Sequence, residues 1–440
     1  MHDLHTCFFS RIHANLHESF ARIRPDSRIP KHPLDNMASR MNIVFVAPFA
    51  FSPKATVSAR MLPIATALRR RGHAVTVLMP PYDHPADSGK VWEHAGVHME
   101  NMRVRHTTPL RQYGDMARQL AQRARDLKPD AVHVFKPIGV SALAMQLGLG
   151  KANVVLDNDD WEGAGGWADI NPYSPMQRRF FIWQEARCLR KAPAVTCASE
   201  TLVERTAQFR GTRDHIHLFP NGPDETMREQ VAAAQARRDT LRAEFGWRGP
   251  VVIYAGTIPL NHDLDMVVQS IKHLAIQDDL KWVIIATGDG IPSLKRALAD
   301  AGIADRVEWH GFMPHDRLID YLVAADAAVY PYRNTPINRA KCSGKVMDYM
   351  ACGLPMVVSD VGMNRVYLED GVSGLLTPAG DAAAFGMAMR RLLDNRPFAA
   401  SLGQAAQERI WQQFGWDERV ARLEVIYAAG IPHTDRINVT

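Results

Sequence analysis

The chain has 440 residues, 46% of them hydrophobic and 22% charged, with a formal net charge of +5 and a pI near 8.9. That length accommodates two ordinary domains with separate cores. The mildly basic balance is too small to imply a nucleic-acid partner, and it suits an anionic ligand or an anionic membrane surface. The five cysteines, at 7, 188, 197, 342 and 352, form no C-x-x-C pair, which speaks against a zinc site or a disulfide framework and for a reducing cytoplasm. No apolar run reaches the roughly eighteen residues a spanning helix needs.

Residues 1–40 carry His2, His5, His13, His17 and His32 but no apolar stretch suited to a signal peptide, and they are expected to be a disordered extension. Met37 and Met41 are alternative starts. The histidines lack carboxylate or cysteine partners for a metal. Asn42 to Ala47 then reads as a buried parallel strand, and Ser58 to Arg71 as an amphipathic helix stopped by Gly72. Strand and helix alternate from there. Strands are predicted at 74–79, 131–135, 154–157, 194–198 and 216–219, and helices at 115–127 and 175–191. This is one doubly wound domain over 41–223. The turn residues Pro220-Asn221-Gly222-Pro223-Asp224 interrupt it, and Glu225 to Trp247 reads as a charged helical connector.

A second α/β domain is expected over 224–414. Its strands are predicted at 251–255, 282–286, 307–310, 327–330 and 354–358. Helices are expected at 262–275, 291–301 and 316–324, in one carrying Lys345, and at 397–414. A terminal helix at about 415–430 can return to the first domain.

Four groups of residues carry chemistry. In Cys342 to Asp381, Ser343 and Gly344 open a helix, Lys345 lies in its first turn and Asp348 follows at i+3 on the same face. A helix N-terminus with an added lysine favours phosphate, and Asp348 can accept hydrogen bonds from vicinal sugar hydroxyls. In the first domain, Asp157, Asp159, Asp160 and Glu162 crowd a strand end beside Trp161. Such a group can grip sugar hydroxyls and orient an acceptor, hold a divalent cation, or be a solvated loop. Asp130 to Lys136 places His133 inside a strand, where it is either structural or functional, with Lys136 at the strand's end. The helix bearing Arg178, Arg179, Phe180, Trp183, Arg187, Arg190 and Lys191 can lie on an anionic leaflet or pack its aromatic face on the sheet.

The donor-type segment resembles that of family 4 glycosyltransferases, whose helix reads like S-P-x-K-x-x-E-Y-M-A-x-G-x-P-V-V. It matches at Ser343, Lys345, Asp348, Tyr349, Met350, Ala351, Gly353, Pro355 and Val357, and the following loop matches at Gly371, Gly374, Leu375, Leu376, Pro378 and Asp381. The P-N-G-x-D turn, the turn Gly288-Asp289-Gly290, the run Val307 to Pro314 and the segment Phe414 to Asp417 match further landmarks. The resemblance implies a GT-B fold, in which two Rossmann-like doubly wound domains face a cleft and the C-terminal helix returns to the first. It implies a retaining transfer of a sugar from a nucleotide-diphosphate donor to a hydroxyl acceptor.

It also implies donor contacts at Gly256, Thr257, His262, Ser343, Gly344, Lys345 and Asp348, with Phe312 stacking on the base; on the residues alone His262 can equally be a helix N-terminal residue beside the cap, and Phe312 a loop aromatic closing the core. The catalytic cleft of the first domain is then expected around His133, Lys136, Asp159 and Asp160. This chain departs from the pattern at Thr257, His262, Phe135 and Ala340, where relatives carry arginine, lysine, histidine and glutamate. Lys345 and helix dipoles are expected to neutralise the leaving diphosphate without a metal or other cofactor. The implied partners are a nucleotide-sugar and a sugar, lipid-linked or small-molecule acceptor in cell-surface polysaccharide or glycolipid synthesis, in the cytoplasm or peripheral on the inner membrane face. A nucleotide-sugar epimerase and a catalytically degenerate binding protein of the same fold remain alternatives.

Overall fold

Two sheets carry the molecule, and both follow from strands whose apolar residues run without alternation because helices cover both faces. The structure is a computed structural model that describes residues 40–51, 56–106, 108–258, 263–271 and 279–429. Residues 1–39 of the expected extension at 1–40, and His262, lie outside the described residues. From Met41 onward the chain forms one compact unit.

The first sheet contains β1 (Asn42–Val46), β2 (Ala74–Met79), β3 (Val91–His94), β4 (Val97–Asn101), β5 (Ala131–Phe135), β6 (Asn153–Asn158), β7 (Ala194–Cys197) and β8 (Ile216–Leu218). Their order is β3-β4-β2-β1-β5-β6-β7-β8. Every pairing is parallel except β3 with β4. The second sheet orders β9 (Val251–Thr257), β10 (Lys281–Thr287), β11 (Val307–His310), β12 (Ala327–Tyr330), β13 (Met356–Ser359) and β14 (Leu375–Thr377) as β11-β10-β9-β12-β13-β14, all parallel. In each sheet the winding reverses next to its first strand, between β1 and β5 and between β9 and β12. Ligands of doubly wound folds bind at the carboxyl ends of such switch points.

Differences from the expected elements have local causes. The hairpin β3–β4 was not predicted because its turn is Ala95-Gly96, both at positive φ, in place of the usual Asn-Gly. The expected helix at Ser58 begins with a π-helical turn, Val57–Met61, that carries Arg60 into the interior. The helix expected from Asp115 begins at Pro109. The charged connector is two helices, Glu225–Ala236 and Arg238–Glu244. Met227, Val231 and Leu241 on them join the core of the second sheet. Helices Gly139–Gln146 and Ala382–Asp394 were not predicted.

The chain crosses between the sheets twice, at Pro220–Asp224 and at Phe414–Gly415. The crossings touch at Gly222, where a Cβ would collide with the Phe414 carbonyl. After the second crossing, helix Trp416–Ala428 returns to the first sheet and buries Trp416, Val420, Leu423 and Tyr427 among Phe45, Phe135 and Phe219. His73 fastens it. The amide of Met41 donates to His73 Nδ1 at 3.1 Å, so Nε2 carries the proton given to Glu424 at 2.7 Å.

Candidate active site

The half of the site expected to hold the donor is built on helix Gly344–Ala351. Ser343 caps it through its hydroxyl, which accepts from the amide of Val346 at 3.4 Å. On the buried side Tyr349 reaches β9, where its hydroxyl accepts from the Ala255 amide at 2.8 Å, and this holds the helix against the strand end carrying Gly256 and exposed Thr257. On the cleft side Lys345 Nζ lies 3.0 Å from Asp348 Oδ2, and His315 Nε2 lies 3.1 Å from Asp348 Oδ1.

The two cations outweigh the burial of Asp348, which by itself would raise its pKa, and hold the carboxyl at about 2. Asp348 in turn raises His315 and Lys345 above their ordinary values. One carboxylate therefore aligns two hydrogen-bond donors beside a helix N-terminus. Phe312, just before His315, is 84% exposed and leaves a ring face open for stacking.

His315 is a functional candidate that sequence reasoning missed. Its signal was its place as the first residue of helix His315–Ala324, directly after the Phe312 loop. The Gly288-Asp289-Gly290 run is a tight turn in which the Gly290 amide donates to the Ile258 carbonyl.

The acidic half lies at the carboxyl ends of β5 and β6. Lys136 Nζ is buried there at 3.0 Å from Asp159 Oδ1, 2.9 Å from Asp160 Oδ2 and 2.5 Å from Glu162 Oε1. The three carboxylates lie close enough to hold a metal ion. In this arrangement the ammonium already supplies the cation. Three acids against one base leave excess negative charge. Burial first, and repulsion from Asp160 and Asp159 against the pull of Lys136, push Glu162 up to about 7; Asp159 is raised as well, chiefly by burial. Glu185, itself buried, accepts from the amides of Glu162 and Gly163 and fixes the loop. Gly163 packs so closely on that carboxylate that no Cβ fits.

His133, expected in the catalytic cleft, does not join this group. It is wholly buried beneath the sheet end, its ring 4.5 Å from that of Phe135. Thr196 gives its proton to Asp157 at 2.7 Å, so His133 Nε2 donates to Thr196 at 3.2 Å and Nδ1 accepts from Tyr427 at 2.8 Å. Burial lowers its pKa to about 4. It is a buried imidazole held between Thr196 and Tyr427. Asp157 is likewise committed, bound at two oxygens by Arg60 at 2.7 Å each.

Arg60 connects the halves. Its Nη1 donates to Asn221 Oδ1 at 2.6 Å, and Asn221 Nδ2 donates to the Cys342 carbonyl at 2.9 Å, one residue before the cap of the donor helix. Tyr367 donates to the Asn221 carbonyl at 2.8 Å, and Arg419 donates to the Pro220 carbonyl.

Two Rossmann-like sheets wound in the same order, with an anion-seeking helix on one and a carboxylate group on the other, define the GT-B glycosyltransferase architecture. The chain carries a glycosyl transferase 4-like domain at residues 56–222 and a glycosyl transferases group 1 domain at residues 249–395, and it belongs to the family 4-like GT-B glycosyltransferases.

It is 30% identical over 251 residues to a D-inositol 3-phosphate glycosyltransferase of Xylanimonas cellulosilytica, an alignment covering 53% of this chain and 58% of the relative. It is 27% identical over 219 residues to an alpha-D-kanosaminyltransferase of Streptomyces kanamyceticus, covering 48% and 54%. The chain thus spans a little over half the length of these relatives. In fold it is similar to sucrose-phosphate synthase of Thermosynechococcus elongatus, with a TM-score of 0.67, 18% identity and coverage of 89% and 99%. It is also similar to HepE of Anabaena, solved in complex with UDP-glucose, with a TM-score of 0.65, 17% identity and coverage of 87% and 99%.

Proposed function

We propose that this protein is a retaining glycosyltransferase that takes a sugar from a nucleotide-diphosphate donor and gives it to a hydroxyl acceptor in polysaccharide or glycolipid synthesis. The observation that carries the reading is the alignment of Lys345 and His315 by Asp348 at the mouth of the donor helix. Two donors held by one carboxylate are preorganised for charge that develops on a departing diphosphate. Asp159 and Asp160, with Lys136, are assigned to acceptor positioning across the cleft. No metal is needed in this reading, since Lys345, His315 and the helix N-terminus supply the positive charge.

The test is Lys345→Ala assayed with a panel of nucleotide-sugars in the presence of a chelator. Wild type should transfer, and the variant should lose turnover by about 10²–10³-fold or more while its circular dichroism spectrum shows a retained fold. Unaltered turnover in the variant would overturn the phosphate assignment. Incubation with donor alone distinguishes an epimerase.

The acceptor is proposed to be membrane-borne. On helix Pro175–Lys191 the residues Met176, Phe180 and Trp183 are exposed at i, i+4 and i+7, so Phe180 and Trp183 are not packed on the sheet. Arg179, Arg187, Arg190 and Lys191 are exposed on the same helix, with Arg187 stacked 5.6 Å from the Trp183 ring. Apolar residues flanked by arginines suit an anionic leaflet. Among the described residues no helix is long and apolar enough to cross a membrane. The helix's inner side carries Glu185, which holds the acidic loop, so docking would bring a lipid-linked acceptor towards that loop. Co-sedimentation with phosphatidylglycerol vesicles should be clear for wild type and lost in the double variant Phe180→Glu, Trp183→Glu. Wild type that stays in the supernatant would exclude this surface.

A further inference from the structure

On the side of the second sheet opposite the cleft, where β12 and β13 begin, lies a cavity of about 340 Å³, within the usual size range of small-molecule sites. Its wall is electrostatically unbalanced. Asp326, its carboxylate only 7% exposed, meets three guanidiniums: Arg238 at 3.0 Å, Arg242 at 3.0 Å and Arg396 at 2.8 Å. Two of the three have other structural work. Arg238 also donates to the carbonyls of Val323, Ala324 and Ala325, and Arg242 to those of Ala324 and Gly249, so both close the end of helix His315–Ala324.

Arg396 has no such task. It sits in the first turn of helix Arg396–Phe414, is 59% exposed at its side chain, and touches Asp326 through Nη1 alone. Arg238 and Arg396 share the same oxygen, Oδ1, which forces two like charges together at the cavity rim. A second oxyanion between them would relieve that repulsion with charge-assisted hydrogen bonds. Away from the arginines the cavity is floored by Leu322, Leu354 and Leu392, all buried.

We propose that this cavity is a second ligand site, for a small amphipathic anion whose carboxylate or phosphate head bridges Arg238 and Arg396 and whose short apolar tail lies on the leucine floor. The site is separate from the proposed donor cleft. It touches the far end of the donor helix at Cys352 and Gly353.

Isothermal titration of the full chain with hexanoate, hexyl phosphate, inorganic phosphate and hexanol tests the proposal. At least one of the two hexyl anions should bind, with hexanol and inorganic phosphate each weaker by about tenfold or more; the tighter head group identifies the anion class. Arg396→Gln should weaken that binding by about tenfold or more, and Ala400→Glu, which sets a carboxylate at the cavity wall, should abolish it. Both changes are at exposed positions, and unchanged thermal unfolding confirms the fold. Absence of binding by both hexyl anions, equal binding of hexanol, or wild-type titrations from both variants would overturn it.

Discussion

At Lys136 the backbone takes a φ of 69°, a left-handed conformation that disfavours a non-glycine residue by about 1–2 kcal/mol. The ammonium's seat among Asp159, Asp160 and Glu162 offsets that cost. The same crowding sets a pH dependence. Glu162 is raised from 4.5 to about 7, so the folded state binds a proton that the unfolded chain has already released. Its contribution to stability is complete below 4.5 and is lost as pH rises through 7. The denaturation midpoint of wild type should therefore fall between pH 5 and pH 8, and Glu162→Gln should flatten part of that slope; parallel curves would show that Glu162 ionises normally. Among single residues, Lys345 and Asp348 could be read in the sequence because both charges sit on one turn of one helix. His315 and Arg60 could not, since their partners lie 33 and 97 positions away.

Helices and strands were legible to the degree that their burial was complete. The inner strands β1, β5 and β9 are mostly apolar and stand where expected. The edge hairpin β3–β4 is half-solvated, with Val91 exposed, and carries no such run. Helix Gly139–Gln146 opens on a glycine at positive φ, which reads as a turn. The crossing at Pro220–Asp224 is marked in the sequence by its turn residues, but its content emerged only in three dimensions, as a junction of donors and acceptors at Asn221. Asn221→Ala would strand Arg60 Nη1 and the Cys342 carbonyl, each part-buried. It should destabilise the protein by about 1–3 kcal/mol in chemical unfolding, and an unchanged midpoint would show that the bridge contributes nothing to stability.

Across the whole molecule, both sheets wind in one order and turn their switch points to the side where the donor helix and the carboxylate group are found. Alternating strand and helix patterns anticipated two doubly wound domains, and the resemblance to family 4 glycosyltransferases supplied their arrangement. The returning helix Trp416–Ala428 has a further consequence, for synthesis on the ribosome. Domains ordinarily fold in the order in which they are made. Here β1 to β8 are complete by Leu218, yet the side chains that seal their core, Trp416 and Tyr427, emerge about two hundred residues later. The domain begun first is therefore finished last. Until then its nascent form exposes the apolar seat of that helix, around Phe45, Phe135 and Phe219, as a surface for chaperones to cover.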